Sequence, residues 1–199
     1  MPKPDWLSFD EAACLPVAWG TAYRMLFTQA RLRPGDRVLV QGVGGGVSSA
    51  AIALALAAGA RVYATSRSEA KRRQAALWGA TPLPPGDRVP ERVDVVIETV
   101  GEATWAHSLK ALRPGGCLVI AGATSGANPP ADLGRVFYLQ QRVLGSTACT
   151  RAELVGLLRM LEVTGVRPVI DRVLPLPDIR TGFTTMMSGT ALGKIVVRP

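Results

Sequence analysis

One histidine, His107, occurs in 199 residues, and the three cysteines, Cys14, Cys117 and Cys149, lie far apart. An odd, scattered set argues against a disulfide framework and against a paired-cysteine metal site. The compartment expected from this usage is a reducing cytoplasm. Aromatic residues make up only 6% of the chain, and no aromatic-plus-basic cluster offers nucleic-acid bases a stacking platform. No run of about five or more like charges forms a binding tail. Long apolar runs are also missing. The longest, Ala50 to Ala60, falls well short of the ~20 residues that a bilayer helix needs. The chain opens without a basic-then-apolar leader, so nothing points to secretion.

What is present suits a packed domain. At 48% hydrophobic and 19% charged, the chain is too apolar for disorder and long enough to bury a core. The length fits one large domain or one and a half small ones. A formal net charge of +8, mostly arginine in excess, favours anionic partners such as nucleotides or CoA esters. The plainer reading is an arginine-rich surface.

Hydrophobic periodicity sets out the elements. Phe9 to Phe27 reads as one or two helices among Pro2, Pro4 and Pro16. The turn Arg33-Pro-Gly-Asp36 announces a strand over Asp36 to Gln41, followed by Gly42-Val-Gly-Gly-Gly-Val47. Ser48 to Ala58 is alanine-rich and apolar nearly all round, as a helix packed closely on a sheet would be. Arg61 to Thr65 is a second strand, and Ser68 caps a helix that runs to Trp78 and stops at Gly79. Strands then follow at Arg92 to Thr99, Cys117 to Ala121 and Arg142 to Ser146, with helices at Thr104 to Leu112, Asp132 to Gln140 and Arg151 to Thr164. The tail holds a strand, a proline-bounded turn, a helix near Ile179 to Met187 and a last strand, Lys194 to Val197. Strands alternating with such helices imply a doubly wound parallel α/β sheet, covered on both faces in three α-β-α layers.

The glycine turn carries the chemistry. A dinucleotide pyrophosphate needs close backbone approach, free N–H groups and the positive end of a helix dipole. Gly42 and Gly44 fit GxG, but the third position falls on Val47, or on Ser48 if the spacing runs from Gly45. A tight structural turn with no ligand is the competing reading. After the second strand, NAD binders usually place an acid for the ribose hydroxyls. Here the chain reads Thr65-Ser-Arg-Ser-Glu-Ala-Lys71, with Arg67 between two serines and Lys71 one helical turn on. Guanidinium and hydroxyl donors match a 2′-phosphate, so NADP(H) is expected in preference to NAD(H). The missing acid argues against a methyltransferase. The Tyr-x-x-x-Lys pair of short-chain dehydrogenases is absent, since Phe27, Arg67 and Arg142 follow Tyr23, Tyr63 and Tyr138 at that spacing.

Six stretches carry a more specific resemblance. They are Ala12-Ala-Cys-Leu-Pro16, Trp19-Gly-Thr-Ala-Tyr23, Leu32-Arg-Pro-Gly-Asp-Arg-Val-Leu-Val-Gln-Gly42, Val93-Asp-Val-Val-Ile-Glu-Thr-Val-Gly101, Leu112-Arg-Pro-Gly-Gly116 and Gly193-Lys-Ile-Val-Val197. In this order they resemble the cofactor-binding half of a medium-chain dehydrogenase/reductase, nearest its quinone-oxidoreductase and zinc-binding-dehydrogenase-like branches. The resemblance implies a connecting helical segment over residues 1–30 and a Rossmann domain over 31–165. It implies a C-terminal segment, 166–199, that packs on a GroES-like barrel of roughly 120 residues, about one small domain, missing from this sequence.

Carried over residue by residue, it assigns Gly42, Gly44, Gly45, Gly46 and Val47 to the pyrophosphate. Ser66, Arg67 and Lys71 go to the adenosine phosphate, and Thr99, Val100 and Gly101 to the ribose. Gly122, Ala123 and Thr124 approach the nicotinamide, with Thr21 near its carboxamide. It further implies reduction of quinones, enones or related conjugated carbonyls, and a homodimer formed through the edge strand near Arg142 to Ser146. No catalytic side chain or metal ligand is assigned, and no membrane or nucleic-acid partner is expected. His107 is expected to be an exposed or hydrogen-bonded helix residue, and the cysteines small core residues rather than nucleophiles, with Cys117 opening a buried strand and Cys149 in a loop. A zinc alcohol dehydrogenase, whose ligands come from the other half, and a non-catalytic nucleotide-binding module remain the alternatives.

Overall fold

The computed structural model describes residues 2–199. Six parallel strands form one sheet: β1 (Arg37–Val40), β2 (Arg61–Thr65), β3 (Thr81–Leu83), β4 (Val93–Glu98), β5 (Leu112–Ile120) and β6 (Arg142–Gly145). Their spatial order is β3-β2-β1-β4-β5-β6, which reverses direction between β1 and β4. The expected doubly wound parallel sheet is what the chain forms.

Alternation along each strand builds two cores. Val38, Val40, Val62, Ala64, Val95, Ile97, Cys117 and Val119 face one layer, while Leu39, Tyr63, Val96 and Leu118 face the other. The first layer holds α3 (Gly46–Ala57), α4 (Glu69–Leu77), α7 (Arg151–Thr164) and the N-terminal helical run. The second holds α5 (Glu102–Ala111), through Trp105 and Leu109, with α6 (Leu133–Tyr138) beside it through Val136. Small residues on α3 (Ala50, Ala51, Ala55) let it lie close to β1 and β2, as its alanine content implies.

The N-terminal run comprises α1 (Phe9–Cys14), a π-helical stretch at Leu15–Trp19, α2 (Gly20–Tyr23) and a second π-helical stretch at Arg24–Gln29. Pro16 has no N–H and its ring crowds the preceding turn, so the widened helix there has a local cause. Beyond the sheet, β7 (Ile170–Pro175) and β8 (Lys194–Arg198) pair as a parallel ribbon joined through α8 (Ile179–Met187). No helix among the described residues is long and apolar enough to cross a membrane.

An ion cluster pins the amino ends of the strands, opposite the glycine turn. Asp94 accepts from the Arg37 amide at 2.9 Å and its Nε at 2.8 Å, and it pairs with Arg113. Burial pushes the Asp94 carboxyl up, but the arginine hydrogen bonds outweigh it and hold the group far below the ordinary carboxylate range. Asp94→Asn is expected to cost about 1.5 kcal/mol in urea unfolding near neutrality. Because the folded pKa is depressed, the gap from wild type should narrow as pH falls below the ordinary carboxylate value.

Candidate functional site

β1 leads through Gln41 into the glycine turn. Gly44 has φ +114°, a conformation that favours glycine, and a Cβ there would lie 2.5 Å from Lys71 Nζ, whose flexible side chain would have to move aside. α3 begins at Gly46 behind Gly45, which offers no side-chain cap. By contrast, Ser68 caps α4 and Thr150 caps α7. Among the described residues, the amides of Gly44, Gly45, Gly46, Val47 and Ser48 have no acceptor in the chain. At α5 the first amides are already taken, Glu102 N–H by the Gly126 carbonyl and Ala103 N–H by Ser125 Oγ. A row of unpaired donors at the positive end of α3 is the donor set that a diphosphate requires.

At the end of β2, Ser66 is buried and Ser66 Oγ accepts from Ser68 N–H at 3.2 Å. The exposed Arg67 guanidinium has no partner among the described residues. Arg72, which the sequence reading passed over, donates to the carbonyls of Ser66 at 2.6 Å and Arg67 at 3.2 Å and so shapes this turn. Lys71 reaches the glycine turn. It lies over Gly44 and donates to the carbonyls of Gly189 at 2.6 Å and Ala191 at 2.7 Å. Burial lowers its pKa, with Asp171 pulling the other way.

The same C-terminal loop reaches the turn directly through Gly193 N–H to the Gly44 carbonyl, 2.8 Å. Lys194 also escaped the sequence reading. Its Cδ lies 2.7 Å from where a Gly46 Cβ would stand, so a second lysine flanks the cradle. Between turn and α8 is a cavity of about 320 Å³ lined by Gly44, Lys71, Phe183, Met186 and Lys194.

The loops at the carboxyl ends of β1, β4 and β5 meet. A Cβ on Gly42 would lie 3.3 Å from Val100, one on Gly122 2.9 Å from the Thr99 carbonyl, and one on Gly101 2.9 Å from Ala123 Cα. Beside them a cleft of about 600 Å³ is lined by Arg24, Ile120, Gly122, Ala123, Ser146 and Thr147. Thr21 is buried in α2 and Thr124 is exposed, and neither lines the cleft. His107 is half-buried, with Nδ1 2.9 Å from Gln41 Nε2 and Nε2 2.9 Å from the Asp87 carbonyl. Cys14 and Cys117 are buried core residues. Among the described residues no three His, Cys, Asp or Glu side chains cluster as metal ligands would.

An open parallel sheet with a glycine-lined helix start at its reversal point defines a nucleotide-binding α/β protein. Residues 46–163 match the zinc-binding dehydrogenase family, and the chain belongs to that family, within the medium-chain dehydrogenases/reductases. It is 30% identical to a zinc-type alcohol dehydrogenase-like protein of Schizosaccharomyces pombe, over 98% of this chain and 61% of that protein. It is 31% identical to the acryloyl-coenzyme A reductase of Metallosphaera sedula, over 98% of this chain and 60% of that protein.

Among solved structures, an NAD-dependent alcohol dehydrogenase aligns with TM-score 0.91 and 36% identity, covering all of this chain and 61% of its own. A 2-octenoyl-CoA carboxylase reductase solved with NADP and 2-octenoyl-CoA aligns with TM-score 0.92 and 26% identity, over 99% of this chain and 51% of its own. The chain thus spans about 60% of the length of the first two relatives, and it corresponds to the cofactor-binding half.

Proposed function

We propose that the chain is the NADP(H)-binding part of an oxidoreductase that reduces a conjugated carbonyl: a quinone, an enone or a related acceptor such as a 2-enoyl thioester. The observation that carries this is the row of unpaired amides from Gly44 to Ser48 at the start of α3. These amides would hold the diphosphate, and Lys194 adds charge beside Gly46. Ser66 and the unpartnered Arg67 would take the 2′-phosphate, to which guanidinium and hydroxyl donors are matched. Thr99, Val100 and Gly101 would line the ribose, while Gly122, Ala123 and Thr124 border the nicotinamide end, with Thr21 behind. The reduced nicotinamide supplies the hydride when bound. The acryloyl-CoA reductase and the NADP-bound octenoyl-CoA enzyme support both coenzyme and substrate class.

Residues 1–30 then connect, residues 31–165 bind coenzyme, and residues 166–199 pack on a partner barrel. The exposed Phe183, Met186 and Met187 of α8 support that packing. The unpaired outer edge of β6, with Val143 exposed, supports a dimer through residues 142–146. A substrate cleft shared with a barrel leaves this chain able to bind coenzyme but slow or inactive in turnover.

Calorimetric titration tests the reading. NADPH should bind at least ~10-fold tighter than NADH, and Arg67→Ala should erase most of that preference while leaving NADH unchanged. Binding of neither coenzyme would sink the proposal. A second reading, the cofactor part of a zinc-dependent alcohol dehydrogenase, is supported by the 36% identity to the NAD-dependent enzyme. Tighter binding of NADH than NADPH would favour it.

A further inference from the structure

We infer that Gln41, Ser108 and Glu98 form a buried hydrogen-bond relay that positions the glycine turn and the Thr99–Gly101 loop as one unit. The inference rests on the coenzyme reading for its purpose, though not for its geometry. The relay begins at Gly42, whose N–H donates to Thr65 Oγ1 at 3.1 Å. The Thr65 hydroxyl donates to Gln41 Oε1 at 2.7 Å, and Gln41 Nε2 donates to Ser108 Oγ at 3.0 Å. Ser108 donates to Glu98 Oε2 at 2.6 Å. At the far end Glu98 Oε1 accepts the amides of Val100 at 2.8 Å and Gly101 at 3.0 Å, and Thr104 Oγ1 donates to the same carboxylate at 2.9 Å. The third loop is attached as well, since Ser125 donates both its amide and its hydroxyl to the Val100 carbonyl, each at 2.8 Å.

Three features show a relay with one polarity. Gln41, Glu98 and Ser108 are each 0% exposed, and Thr65 is 2% exposed, so water does not compete. A buried carboxylate with no ion-pair partner among the described residues is costly in a sheet core unless donors surround it. Here the donors include two amides of a loop read as coenzyme-contacting. Because a carboxylate only accepts, the hydrogens that link Gly42, Thr65, Gln41 and Ser108 each point along the chain towards Glu98. His107 sets the orientation at the middle link. Its Nε2–H faces the Asp87 carbonyl, leaving Nδ1 to accept the second hydrogen of Gln41 Nε2, so the glutamine amide has one satisfied orientation. Gln41, Ser108 and Glu98 are therefore positioning residues and touch no ligand themselves.

Reversing the terminal acceptor should be felt at the opposite end. In Glu98→Gln the new amide N–H and Gln41 Nε2 both face the Ser108 oxygen, so the buried Ser108 hydrogen loses its acceptor and the middle link loosens. In the free 199-residue chain, amide exchange at Gly42 should quicken at least ~5-fold in Glu98→Gln and in Ser108→Ala. The affinity for 2′,5′-ADP, which reaches the cradle but not the 99–101 loop, should fall ~5-fold in both variants. At the other end, Thr65→Val should quicken exchange at Val100 and Gly101, and Thr65→Ser should restore it. The relay is overturned if the folded Glu98→Gln and Ser108→Ala chains keep wild-type Gly42 exchange and 2′,5′-ADP affinity. If those two variants do not fold, unchanged Val100 and Gly101 exchange in Thr65→Val overturns it instead. Failure of the wild type to bind either NADPH or 2′,5′-ADP defeats the coenzyme reading separately, and the exchange measurements still decide the relay.

Discussion

Gly44→Val should weaken NADPH binding by at least ~100-fold, the largest single effect expected in the site. A β-branched residue at φ +114° is strained by ~1–2 kcal/mol, and its Cβ would meet the Lys71 ammonium 2.5 Å away. The lysine can swing aside, but relief of the backbone strain requires the turn to rotate, which takes the open amides of α3 off the place proposed for the diphosphate. Hydrogen bonds to a charged group contribute ~1.5–3 kcal/mol each, so losing two of them reaches the ~2.8 kcal/mol of a 100-fold loss. Calorimetric or fluorescence titration measures it. Gly35→Val is the control, because Gly35 also has positive φ (+85°) but has nothing within 4 Å of an added Cβ. That variant should lose stability and keep its coenzyme affinity. A folded Gly44→Val chain that binds NADPH within ~3-fold of wild type would remove the cradle from the proposal.

Glu153→Ala should be the most destabilising surface-proximal change, by about 3 kcal/mol, since it strips a mostly buried Arg24 of its partner. Glu153 ties α7 to the N-terminal helical run. Its carboxylate accepts from Arg24 Nη1 at 2.9 Å, Thr28 Oγ1 at 2.6 Å and the Thr150 amide at 2.6 Å. Burial pushes the Glu153 carboxyl up, but hydrogen bonds from Thr28, Thr150 and Arg24 prevail and hold it down, to about 2 from its ordinary 4.5. A depressed folded pKa stabilises the protein above the ordinary value and ceases to do so as pH falls through the folded one. The wild type should accordingly lose stability between about 4.5 and about 2, while Glu153→Ala stays flatter there. Urea midpoints across that range measure the difference, and parallel curves for the two chains would contradict the assignment.

Local pattern carried much of the fold. Arg61–Thr65, Arg151–Thr164 and Ile179–Met187 form where periodicity, caps and glycine stops place them. The departures have identifiable causes. The short strand Thr81–Leu83 went unread because Pro82 sits inside it and proline marks a segment as non-strand; at the sheet edge it needs only β2 as a neighbour. β5 begins at Leu112, where the helix from Thr104 is expected to end, rather than at Cys117, because Leu112 pairs with Val93 before a register shift absorbs Arg113 to Gly116. The π-helical stretches of the N-terminal run depend on how Pro16 is accommodated, which a 3.6-residue period does not resolve.

The candidate site divides in the same way. The glycine turn, the helix start and the absent acid after β2 are properties of a few adjacent residues, governed by φ, steric size and donor count, and they were readable directly. The side-chain partners were decided elsewhere. Spacing set Lys71 one helical turn from Arg67, yet its ammonium is held by carbonyls at Gly189 and Ala191, more than a hundred residues away. Lys194 reaches Gly46, and Glu98 reaches Val100 and Ser108, only because the sheet order and the returning C-terminal loop bring them there. The chain by itself settled where its backbone exposes unpaired amides, since that is a matter of dihedral angles and missing Cβ atoms. Which charges and hydroxyls stand around those amides was settled by tertiary packing alone, because a hydrogen bond depends on distance in space and is blind to separation along the chain.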